Sequence, residues 1–546
     1  MKNYYLLSDR VYFNVLCLIA FIFSATTLNA QAPALNWEKT YGGTFGDIGN
    51  CIQTTANNGY IIAGLTASSD KDVTGFHGGA GDAWVINLKD SNIVWEEALG
   101  GSGSDVALSI AATTDGGYIM AGSTNSTDGD VSGLHSPISG TDDMWIVKLS
   151  STGAIIWQKC LGGSNNEEAY SIIQTSDGGY IVAGQTNSTD GDVTGLHGSA
   201  GGSLDIWVVK LDDTGGIMWQ KCYGGSNGEV ANSIVQTTDG GYIIAGSTNS
   251  TDGDVTGNHS GTTSDYWVVK INSTGNITWE KCFGGTDGDQ ANSIVQTTDG
   301  GYIVAGSTNS TDGDVTGNHG VSDTWIVKTN DTGAISWERC YGGTGADFAN
   351  SIQQTSDGGY IVAGTTTSLD GDVHGNHGNY DYWVIKLMPN DSLEWQKCLG
   401  GSFTDQANSI IQNSDGSYAV TGFTESVDGE VTGYHDSTFG TDDGDVWVVK
   451  LNKDTPTYVT SINAEQQIQV YPTMSNGIVH VNIPVGYEQA QIKLINILGQ
   501  SMSISENNEG ITRTIRPVNT LLGLYILQIR NNGRINNYKI VFCSNK

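Results

Sequence analysis

Two tryptophan-centred phrases recur seven times each and together contain all 14 tryptophans of the chain. The phrase Trp-x-Lys/Arg-Cys-x-Gly-Gly, with its variants, is centred on Trp37, Trp95, Trp157, Trp219, Trp279, Trp337 and Trp395. The phrase Asp-x-Trp-x-Val/Ile-Lys, with its variants, is centred on Trp84, Trp145, Trp207, Trp267, Trp325, Trp383 and Trp447. A period of 58 to 64 residues indicates seven copies of one structural unit.

Each unit has the pattern of four strands. In the fourth unit, apolar and polar residues alternate over 231–237, and the turn sequence Thr-Asp-Gly-Gly follows. Further strands are predicted over 242–246, 265–271 and 277–282, with a long polar loop between the second and third strands. Four antiparallel strands per unit without helical periodicity are typical of a β-propeller blade. A β-solenoid is the alternative, but its coils are shorter than these units.

The two ends of the repeat array complement each other. The array begins with a lone fourth-strand phrase at Trp37 and ends with a third strand at 447–451. Pairing these two segments completes the last blade and leaves no exposed sheet edge there. The sequence therefore predicts an all-β fold, a seven-bladed β-propeller over 31–452 with four strands per blade, in which the N-terminal strand closes the last blade.

The first thirty residues have the composition of a secretory signal peptide. Lys2 and Arg10 precede an apolar run over 11–23, and small residues follow it up to Ala30. The apolar run is too short for the roughly 20 residues of a membrane-spanning helix. The formal net charge of −34 disfavours nucleic-acid and anionic-membrane partners but is compatible with divalent cations. We expect export through the periplasm and outer membrane, to the cell surface or the medium, with no transmembrane segment in the mature chain.

The pattern of the repeats ends at Asn452, and a linker is predicted over 453–460. Val-Tyr-Pro-Thr-Met-Ser-Asn-Gly at 470–477, Asn-Ile-Leu-Gly-Gln at 496–500 and Gly-Leu-Tyr-Ile-Leu-Gln-Ile at 523–529 follow in order, and Asn-Tyr-Lys-Ile-Val-Phe ends at 542. Residues 461–546 thereby resemble the type A C-terminal sorting domain of type IX secretion cargo. Thr473 and Met474 replace the usual Asn-Pro. An ordinary Ig-like accessory module is the alternative interpretation.

The resemblance implies a small Ig-like β-sandwich in a protein of the Bacteroidota. It implies the type IX secretion machinery as a partner, and surface lipopolysaccharide as a possible attachment. The sorting-signal residues carried over by the resemblance are Tyr471, Pro472, Asn476, Gly477, Gly499, Gly523 and Tyr525.

Five cysteines, Cys160, Cys222, Cys282, Cys340 and Cys398, occupy one repeat position, where the first two repeats carry Thr40 and Ala98. Because Thr, Ala and Cys share only their small size, we expect buried free thiols at a packed interface. A disulfide ladder would need neighbouring Cα atoms within about 7 Å. The absence of Cys-x-x-Cys disfavours a zinc site.

The long loop of each unit carries two acidic residues separated by one residue, and then a histidine. Alternate carboxylates beside glycine suggest calcium, which binds six or more oxygens. The calcium candidates are Asp190, Asp192, Asp252, Asp254, Asp312, Asp314, Asp442, Asp443 and Asp445. The alternative is that Asp-Gly forms a turn in which the side chains cap backbone N–H groups. No other cofactor is indicated.

A histidine in every unit is not expected to be catalytic, because a catalytic site is a single asymmetric constellation. We expect each histidine to hydrogen-bond its own loop, at the Asp that precedes the third-strand tryptophan. No nucleophile-elbow, zinc-protease or phosphate-loop motif occurs. The favoured function is a non-catalytic binding or display scaffold for glycan or protein ligands. The alternative is a polysaccharide-degrading hydrolase or lyase with its site in an asymmetric loop.

Overall fold

The fold was obtained as a computed structural model that describes residues 31–135, 140–435, 444–454, 468–471, 474–475, 478–482, 490–497, 499–509, 512–518, 522–531 and 534–542. Within these ranges the chain forms 37 strands and no helix, in agreement with the all-β prediction. None of the described segments is therefore a helix long and apolar enough to cross a membrane. The predicted signal peptide and most of the predicted linker lie outside the described residues.

Twenty-eight strands form seven four-stranded antiparallel sheets, which we call blades 1 to 7. Blade 1 contains β2 (Asp47–Thr54), β3 (Tyr60–Thr66), β4 (Asp82–Lys89) and β5 (Asn92–Leu99). Blade 2 contains β6 (Asp105–Ala112), β7 (Tyr118–Thr124), β8 (Asp143–Leu149) and β9 (Ile155–Leu161). Blade 3 contains β10 (Glu167–Gln174), β11 (Tyr180–Thr186), β12 (Asp205–Leu211) and β13 (Ile217–Tyr223).

The remaining blades repeat this order. Blade 4 contains β14 (Glu229–Gln236), β15 (Tyr242–Thr248), β16 (Asp265–Ile271) and β17 (Ile277–Phe283). Blade 5 contains β18 (Asp289–Gln296), β19 (Tyr302–Thr308), β20 (Asp323–Thr329) and β21 (Ile335–Tyr341). Blade 6 contains β22 (Asp347–Gln354), β23 (Tyr360–Thr366), β24 (Asp381–Leu387) and β25 (Leu393–Leu399). Blade 7 contains β26 (Asp405–Gln412), β27 (Tyr418–Thr424), β28 (Asp445–Leu451) and β1 (Leu35–Tyr41).

The N-terminal strand is the fourth strand of blade 7. β1 pairs antiparallel with β28, and Thr40 lies opposite Trp447. The side chain of Glu38 strengthens this pairing, because its Oε2 accepts a hydrogen bond from the buried indole N–H of Trp447 at 2.8 Å. The predicted pairing of the two ends is therefore present.

The four strands predicted for the fourth unit are confirmed within two residues at each end. The hairpin between β14 and β15 shows why the turn sequence is Thr-Asp-Gly-Gly. Thr237 N–H donates to the Gly241 carbonyl at 2.9 Å, and Gly240 takes a φ of +82°, which favours glycine.

Neighbouring blades share their hydrophobic cores. Each of seven clusters combines residues of two successive sheets, and one of them joins blade 7 to blade 1 through Val448 and Ile62. The third-strand tryptophans are fully buried in these clusters. A fourth-strand tryptophan packs on a second-strand tyrosine of the next blade, as Trp279 does on Tyr302 with ring centroids 5.8 Å apart. The seven sheets fit a seven-bladed β-propeller.

The repeat-position cysteines lie in or beside these shared cores. Cys160, Cys222, Cys340 and Cys398 are buried, Cys282 is half-buried, and all of them are free thiols. Thr40 and Ala98 are likewise buried at the same repeat position. The prediction of buried free thiols is confirmed for four of the five cysteines, and Cys282 is a half-buried free thiol.

The C-terminal strands form two further sheets. One contains β29 (Gln469–Tyr471), β31 (Val479–Asn482), β35 (Thr512–Pro517) and β34 (Ile504–Glu509). The other contains β30 (Met474–Ser475), β37 (Arg534–Phe542), β36 (Gly523–Asn531), β32 (Gln491–Asn496) and β33 (Ser501–Met502). A single core, which includes Val481 and Ile515 of the first sheet and Leu527 and Ile540 of the second, lies between them.

Candidate functional site

The long loops and the links between blades lie at the same edge of the sheets. We call the Gly-Gly segment that joins the last strand of one blade to the first strand of the next a crossover. Antiparallel strands turn at alternate edges, so the loop between the second and third strands meets the crossover. Hydrogen bonds join the two directly, as between Ser226 of a crossover and Asp252 of a loop. We call this side the crossover face.

The first acid of each loop caps the preceding crossover. Asp190, Asp252 and Asp312 accept hydrogen bonds through Oδ1 from the backbone N–H groups of Ser164, Ser226 and Thr286 at 2.8, 2.7 and 2.8 Å. The bonds from the Thr286 backbone and hydroxyl lower the pKa of Asp312. These carboxylates therefore act as turn caps, which is the alternative that the Asp-Gly sequence left open.

In six of the seven loops, the second acid faces the histidine of the preceding blade. Asp192 Oδ2 lies 3.4 Å from His135 Nε2, and Asp254 Oδ2 lies 3.5 Å from His197 Nε2. Asp314 Oδ2 lies 3.8 Å from the Nε2 of His259. The two acids of one loop thus point to different partners, one in the crossover and one in the neighbouring loop.

Each histidine binds the Asp at the start of its own third strand, as the sequence predicts. The Nδ1 of His259 lies 2.6 Å from Asp265 Oδ2, which also accepts the His259 backbone N–H at 3.0 Å. The same contact joins His77 to Asp82, His135 to Asp143, His197 to Asp205, His319 to Asp323, His377 to Asp381 and His435 to Asp445. The histidines therefore join the long loops to the buried third strands.

The acidic cluster predicted in the seventh loop is described only at Asp445. Asp442 and Asp443 lie outside the described residues. Asp445 is 1% exposed and accepts hydrogen bonds from the backbone N–H and Nδ1 of His435, both at 2.8 Å. Burial raises its pKa, and the bonds from His435 oppose that rise.

Within the described ranges, no three or more His, Cys, Asp or Glu side chains are grouped so that they could hold a metal ion. Calcium at the predicted loop acids stays a prediction. Its described candidates already accept protein hydrogen bonds or lie against a histidine.

A second set of buried acids was missed by the sequence interpretation. The first residue of each first strand is acidic and at most 1% exposed: Asp47, Asp105, Glu167, Glu229, Asp289, Asp347 and Asp405. Asp289, for example, accepts the Gly285 N–H at 2.9 Å and the Ser310 hydroxyl at 3.0 Å. An acid at one repeat position, after every Gly-Gly, was the available signal.

Among the described residues, the exposed large apolar side chains of the crossover face lie at three consecutive crossovers. Val321, 69% exposed, lies beside one of them, where its N–H donates to the Gly345 carbonyl. Phe45, Leu369 and Val427 are 54%, 77% and 44% exposed, and Phe403 is half-buried. At the other four crossovers, the positions of Phe45 and Phe403 carry Gly103, Asn165, Asn227 and Asp287, and those of Leu369 and Val427 carry threonine. We call Phe45, Leu369, Phe403 and Val427 the apolar arc. It breaks the sevenfold repetition of the face.

A polar cluster breaks the repetition between blades 2 and 3. The Tyr170 hydroxyl donates to Glu168 Oε2, which also accepts from Gln185 Nε2 at 2.8 Å. Burial raises the pKa of Asp142, and the nearby charge of Glu168 adds to that rise. No other blade has an acid at the position of Glu168 or a tyrosine at that of Tyr170. This cluster is the most asymmetric group of titratable side chains among the described blades.

A cleft of about 330 Å³ opens between blades 3 and 4. His197 and Asp254 of the long loops line it, together with Lys221, Tyr223 and Asn276. Its volume is at the low end of small-molecule sites. The cleft offers mixed polar groups without a concentration of apolar surface.

The described sorting-signal residues occupy strand and turn positions. Tyr471 ends β29, and its hydroxyl donates to Asn482 Oδ1 at 3.2 Å. Gly499 has a φ of +80° in the turn between β32 and β33. Gly523 begins β36, where Tyr525 is buried against Phe542. Pro472, Asn476 and Gly477 lie outside the described residues.

Comparison with known proteins finds distant similarities. No family model matches the chain. A segment of 224 residues is 24% identical to the regulatory protein FlaEY of Caulobacter vibrioides and covers 39% of this chain and 23% of that protein. This chain therefore spans about a quarter of that relative's length.

Two solved structures to which the chain is similar have low sequence identity. Sqt1 from Chaetomium thermophilum is 12% identical over 81% of this chain and 97% of its own, with a TM-score of 0.37. The extracellular region of plexin A4 is 7% identical over 92% of this chain and 62% of its own, with a TM-score of 0.45. The repeated four-stranded sheets themselves fit a β-propeller-like repeat protein.

Proposed function

We propose that this chain is an exported, non-catalytic binding scaffold whose ligands are glycans or proteins. In this proposal the seven blades close into a ring, and the crossover face carries the binding surface. The observation that supports it is the apolar arc, because exposed apolar side chains grouped on one sector of a polar face mark interaction sites. Any contribution of the seven similar loops would come from avidity.

The positions of the arc favour a surface retained for binding over one needed for folding. Phe45 and Phe403 replace residues that are Gly, Asn or Asp elsewhere, and Leu369 replaces a threonine. The local backbone is the same, since the N–H groups of Phe45 and Asn227 both donate to a loop serine at 2.9 Å. Small polar residues satisfy this turn, so the large apolar ones add nothing that the turn requires.

The proposed route of export rests on the C-terminal resemblance and on the predicted signal peptide. We propose that type IX secretion machinery recognises residues 461–546 as an Ig-like sorting domain in a protein of the Bacteroidota. The chain would then be released or attached to surface lipopolysaccharide. Two sheets around one core are compatible with such a domain. Fusion of residues 453–546 to a periplasmic reporter, with secretion measured with and without that machinery, tests this part.

The binding proposal is tested by comparing the mature chain with a variant that restores the repeat. The variant carries Phe45→Asn, Leu369→Thr and Val427→Thr. Each new residue is one that other crossovers carry at the equivalent repeat position. Both proteins are applied to glycan and surface-protein arrays, with and without calcium. We expect retention of the natural chain and at least a tenfold loss in the variant, at an unchanged melting temperature. Equal retention of both proteins, or none by the natural chain, would contradict the proposal.

A polysaccharide hydrolase or lyase is the second candidate, favoured by the cluster of Asp142, Glu168 and Tyr170. Glycosidase chemistry needs two carboxyl groups about 5 to 10 Å apart. Here a carboxyl with a raised pKa lies near a second one that is hydrogen-bonded to a tyrosine. Release of reducing or unsaturated ends by the natural chain, abolished by Glu168→Gln, would favour this candidate over the binding scaffold.

A further inference from the structure

Two buried acids flank every crossover. One begins the third strand of a blade, and the other begins the first strand of the next blade. The pairs are Asp82 with Asp105, Asp143 with Glu167, Asp205 with Glu229, Asp265 with Asp289, Asp323 with Asp347, Asp381 with Asp405, and Asp445 with Asp47. All 14 residues are at most 1% exposed. Burial of an ionised carboxylate is costly unless its oxygens are paired, so each pair needs a physical explanation.

One oxygen of each third-strand Asp has no partner among the described residues. In Asp265 the Oδ2 atom accepts two bonds from His259, whereas Oδ1 is buried and accepts none. The same Oδ1 atom is buried and unpartnered in Asp82, Asp143, Asp205, Asp323, Asp381 and Asp445. A buried polar atom left without a donor costs about 1–3 kcal/mol, so seven such atoms in equivalent positions require an explanation.

The unpartnered oxygen and the acid of the next blade both lie close to one crossover glycine. A Cβ atom placed on the crossover residue Gly284 would lie 3.1 Å from Asp265 Oδ1 and 2.4 Å from Asp289 Oδ2. The two carboxylates therefore approach the same Cα atom from the two blades. The same arrangement surrounds Gly342, where Asp323 Oδ1 and Asp347 Oδ2 lie at 3.0 and 2.5 Å from such an atom. Only glycine fits between the two acids.

Few charged groups face this pair to neutralise it. Burial and the like charge of Asp314 raise the pKa of Asp265, and His259 lowers it. Asp289 faces Asp265, and the thiols of Cys282 and Cys340 and the buried hydroxyl of Tyr266 lie near the pair. His259 is the one group of these that can carry a positive charge, and it binds the oxygen on the opposite side of Asp265.

We propose that each crossover is a binding site for one small cation, held between the unpartnered Oδ1 of the third-strand Asp and the carboxyl group of the first-strand acid. A proton needs only these two carboxyl groups, whereas a metal ion needs further oxygens from the crossover backbone or from water. No described group of three acidic, His or Cys side chains is arranged to hold a metal ion, which favours the proton. These sites differ from the exposed loop pairs predicted to bind calcium, and Asp445 is the one calcium candidate that belongs to them.

The titration of three first-strand acids, Asp47, Asp289 and Asp405, has the direction that a shared proton requires. Burial raises the pKa of Asp47 and Asp405 to about 7 and that of Asp289 to about 6, although hydrogen bonds from Thr, Ser and Gly lower it. An acid whose pKa is raised by folding stabilises the fold below its unfolded pKa, near 4, and loses that contribution as the pH rises through its folded value. We therefore expect Asp47, Asp289 and Asp405 to lose their protons as the pH rises through about 6 to 7.

The experiment is thermal and denaturant unfolding of the full mature chain from pH 5 to pH 8.5, in EDTA and in calcium or sodium chloride. With a bound proton, the melting temperature falls as the pH rises in EDTA. With a bound metal ion, calcium or sodium restores the melting temperature at pH 8.5. A melting temperature that responds to neither pH nor these ions over this range overturns the proposal.

A variant separates these sites from the histidines, which also titrate in this range. Asp289→Asn imitates the protonated acid and leaves His259 and Asp265 in place. The pH slope of the unfolding free energy gives the number of protons released on unfolding. This number should fall by up to one in the variant. Asp287→Asn is the matched control, because it lies exposed in the same crossover and Asn occupies that position at two others. Infrared absorption of protonated carboxyl groups near neutral pH provides a readout that needs no variant, and its absence, without a metal response, overturns the proposal.

Discussion

Ser409 of blade 7 accepts a hydrogen bond at its Oγ from the backbone N–H of Ile52 in blade 1, at 3.3 Å. The first strand of each blade is an edge strand, so this N–H has no partner in its own sheet. The equivalent bonds join Ile172 to Ser109, Ile234 to Ser171, Ile294 to Ser233, Ile352 to Ser293 and Ile410 to Ser351. At six of the seven interfaces, one blade thus satisfies the edge strand of the next through one hydroxyl.

Cys51 stands at the serine position in blade 1, where its Sγ lies 3.7 Å from the Ile110 carbonyl. Replacing Cys51 with serine should add the hydrogen bond that the other interfaces have. We expect Cys51→Ser to raise the free energy of unfolding by about 0.5–1.5 kcal/mol, measured in urea. Ser233→Ala is the control and should lower it by a similar amount. If Cys51→Ser lowers the free energy of unfolding, the packing of the thiol contributes more than the hydrogen bond that the hydroxyl would accept.

The N-terminal strand β1 should be essential for stability, although it is remote in sequence from the other three strands of blade 7. It provides a full ladder to β28 and buries Tyr41 completely. A chain that begins at residue 46 should lose more than about 3 kcal/mol, the low end for removing one large buried side chain. Hydrogen exchange at the backbone amides of β28 measures the effect. Addition of a peptide with residues 31–45 should restore protection, and unchanged exchange in the shortened chain would contradict the pairing.

The two tryptophan positions should differ in their contribution to stability. Trp267 of a third strand is completely buried, and its Nε1 donates to Glu280 Oε2 at 2.9 Å. Trp267→Ala should cost about 3–5 kcal/mol, because it leaves a large cavity and an unpaired acceptor. Trp219→Ala, at a half-buried fourth-strand position, should cost less. Met218→Ala is the control at 60% exposure and should change stability by no more than about 0.5 kcal/mol.

Loss of one ion pair in strong acid should destabilise the protein. The buried Lys148 lies 2.9 Å from Asp115 Oδ2. The hydrogen bond from Thr113 and the pairing with Lys148 lower the pKa of Asp115 to about 2. A carboxyl whose pKa is lowered by folding stabilises the protein above its unfolded pKa, near 4, and this contribution disappears as the pH falls toward 2.

Asp115→Asn should therefore destabilise the chain at pH 7 and have little effect at pH 2. The expected loss at pH 7 is about 1–2 kcal/mol, reduced from that of a buried pair because Asp115 is half exposed. Lys148→Met should cost less, because it leaves no buried charge unpaired. Equal effects of Asp115→Asn at both pH values would contradict the lowered pKa of Asp115. Equilibrium unfolding in urea at the two pH values provides the measurement.

Local features of the fold followed from the sequence because they depend on neighbouring residues. The alternation over 231–237 and the Thr-Asp-Gly-Gly turn after it predicted β14 and its hairpin within two residues. The binding of His259 to Asp265 was also predicted, since the two residues are close together in one unit. Repetition made these predictions stronger, because seven variants of one unit show which residue types each position accepts.

The partners of the loop acids could not be predicted in the same way. Asp252 and Asp254 are alternate residues, a pattern that suggested two ligands of one ion. In the fold, Asp252 caps the crossover before its own blade, while Asp254 faces His197 of the preceding blade. Contacts between blades depend on how successive sheets pack, and a repeat pattern does not contain that information.

By itself, the sequence determined the number of blades, the four strands in each and the position of the spare N-terminal strand. Periodicity and turn chemistry act over a few residues, so they can be read from one chain. Only the tertiary structure decided which groups meet between blades, such as Asp265 with Asp289 and the residues of the apolar arc. These groups are brought together by the packing of one sheet on the next, which buries some acids completely and leaves Phe45 and Leu369 exposed on one sector.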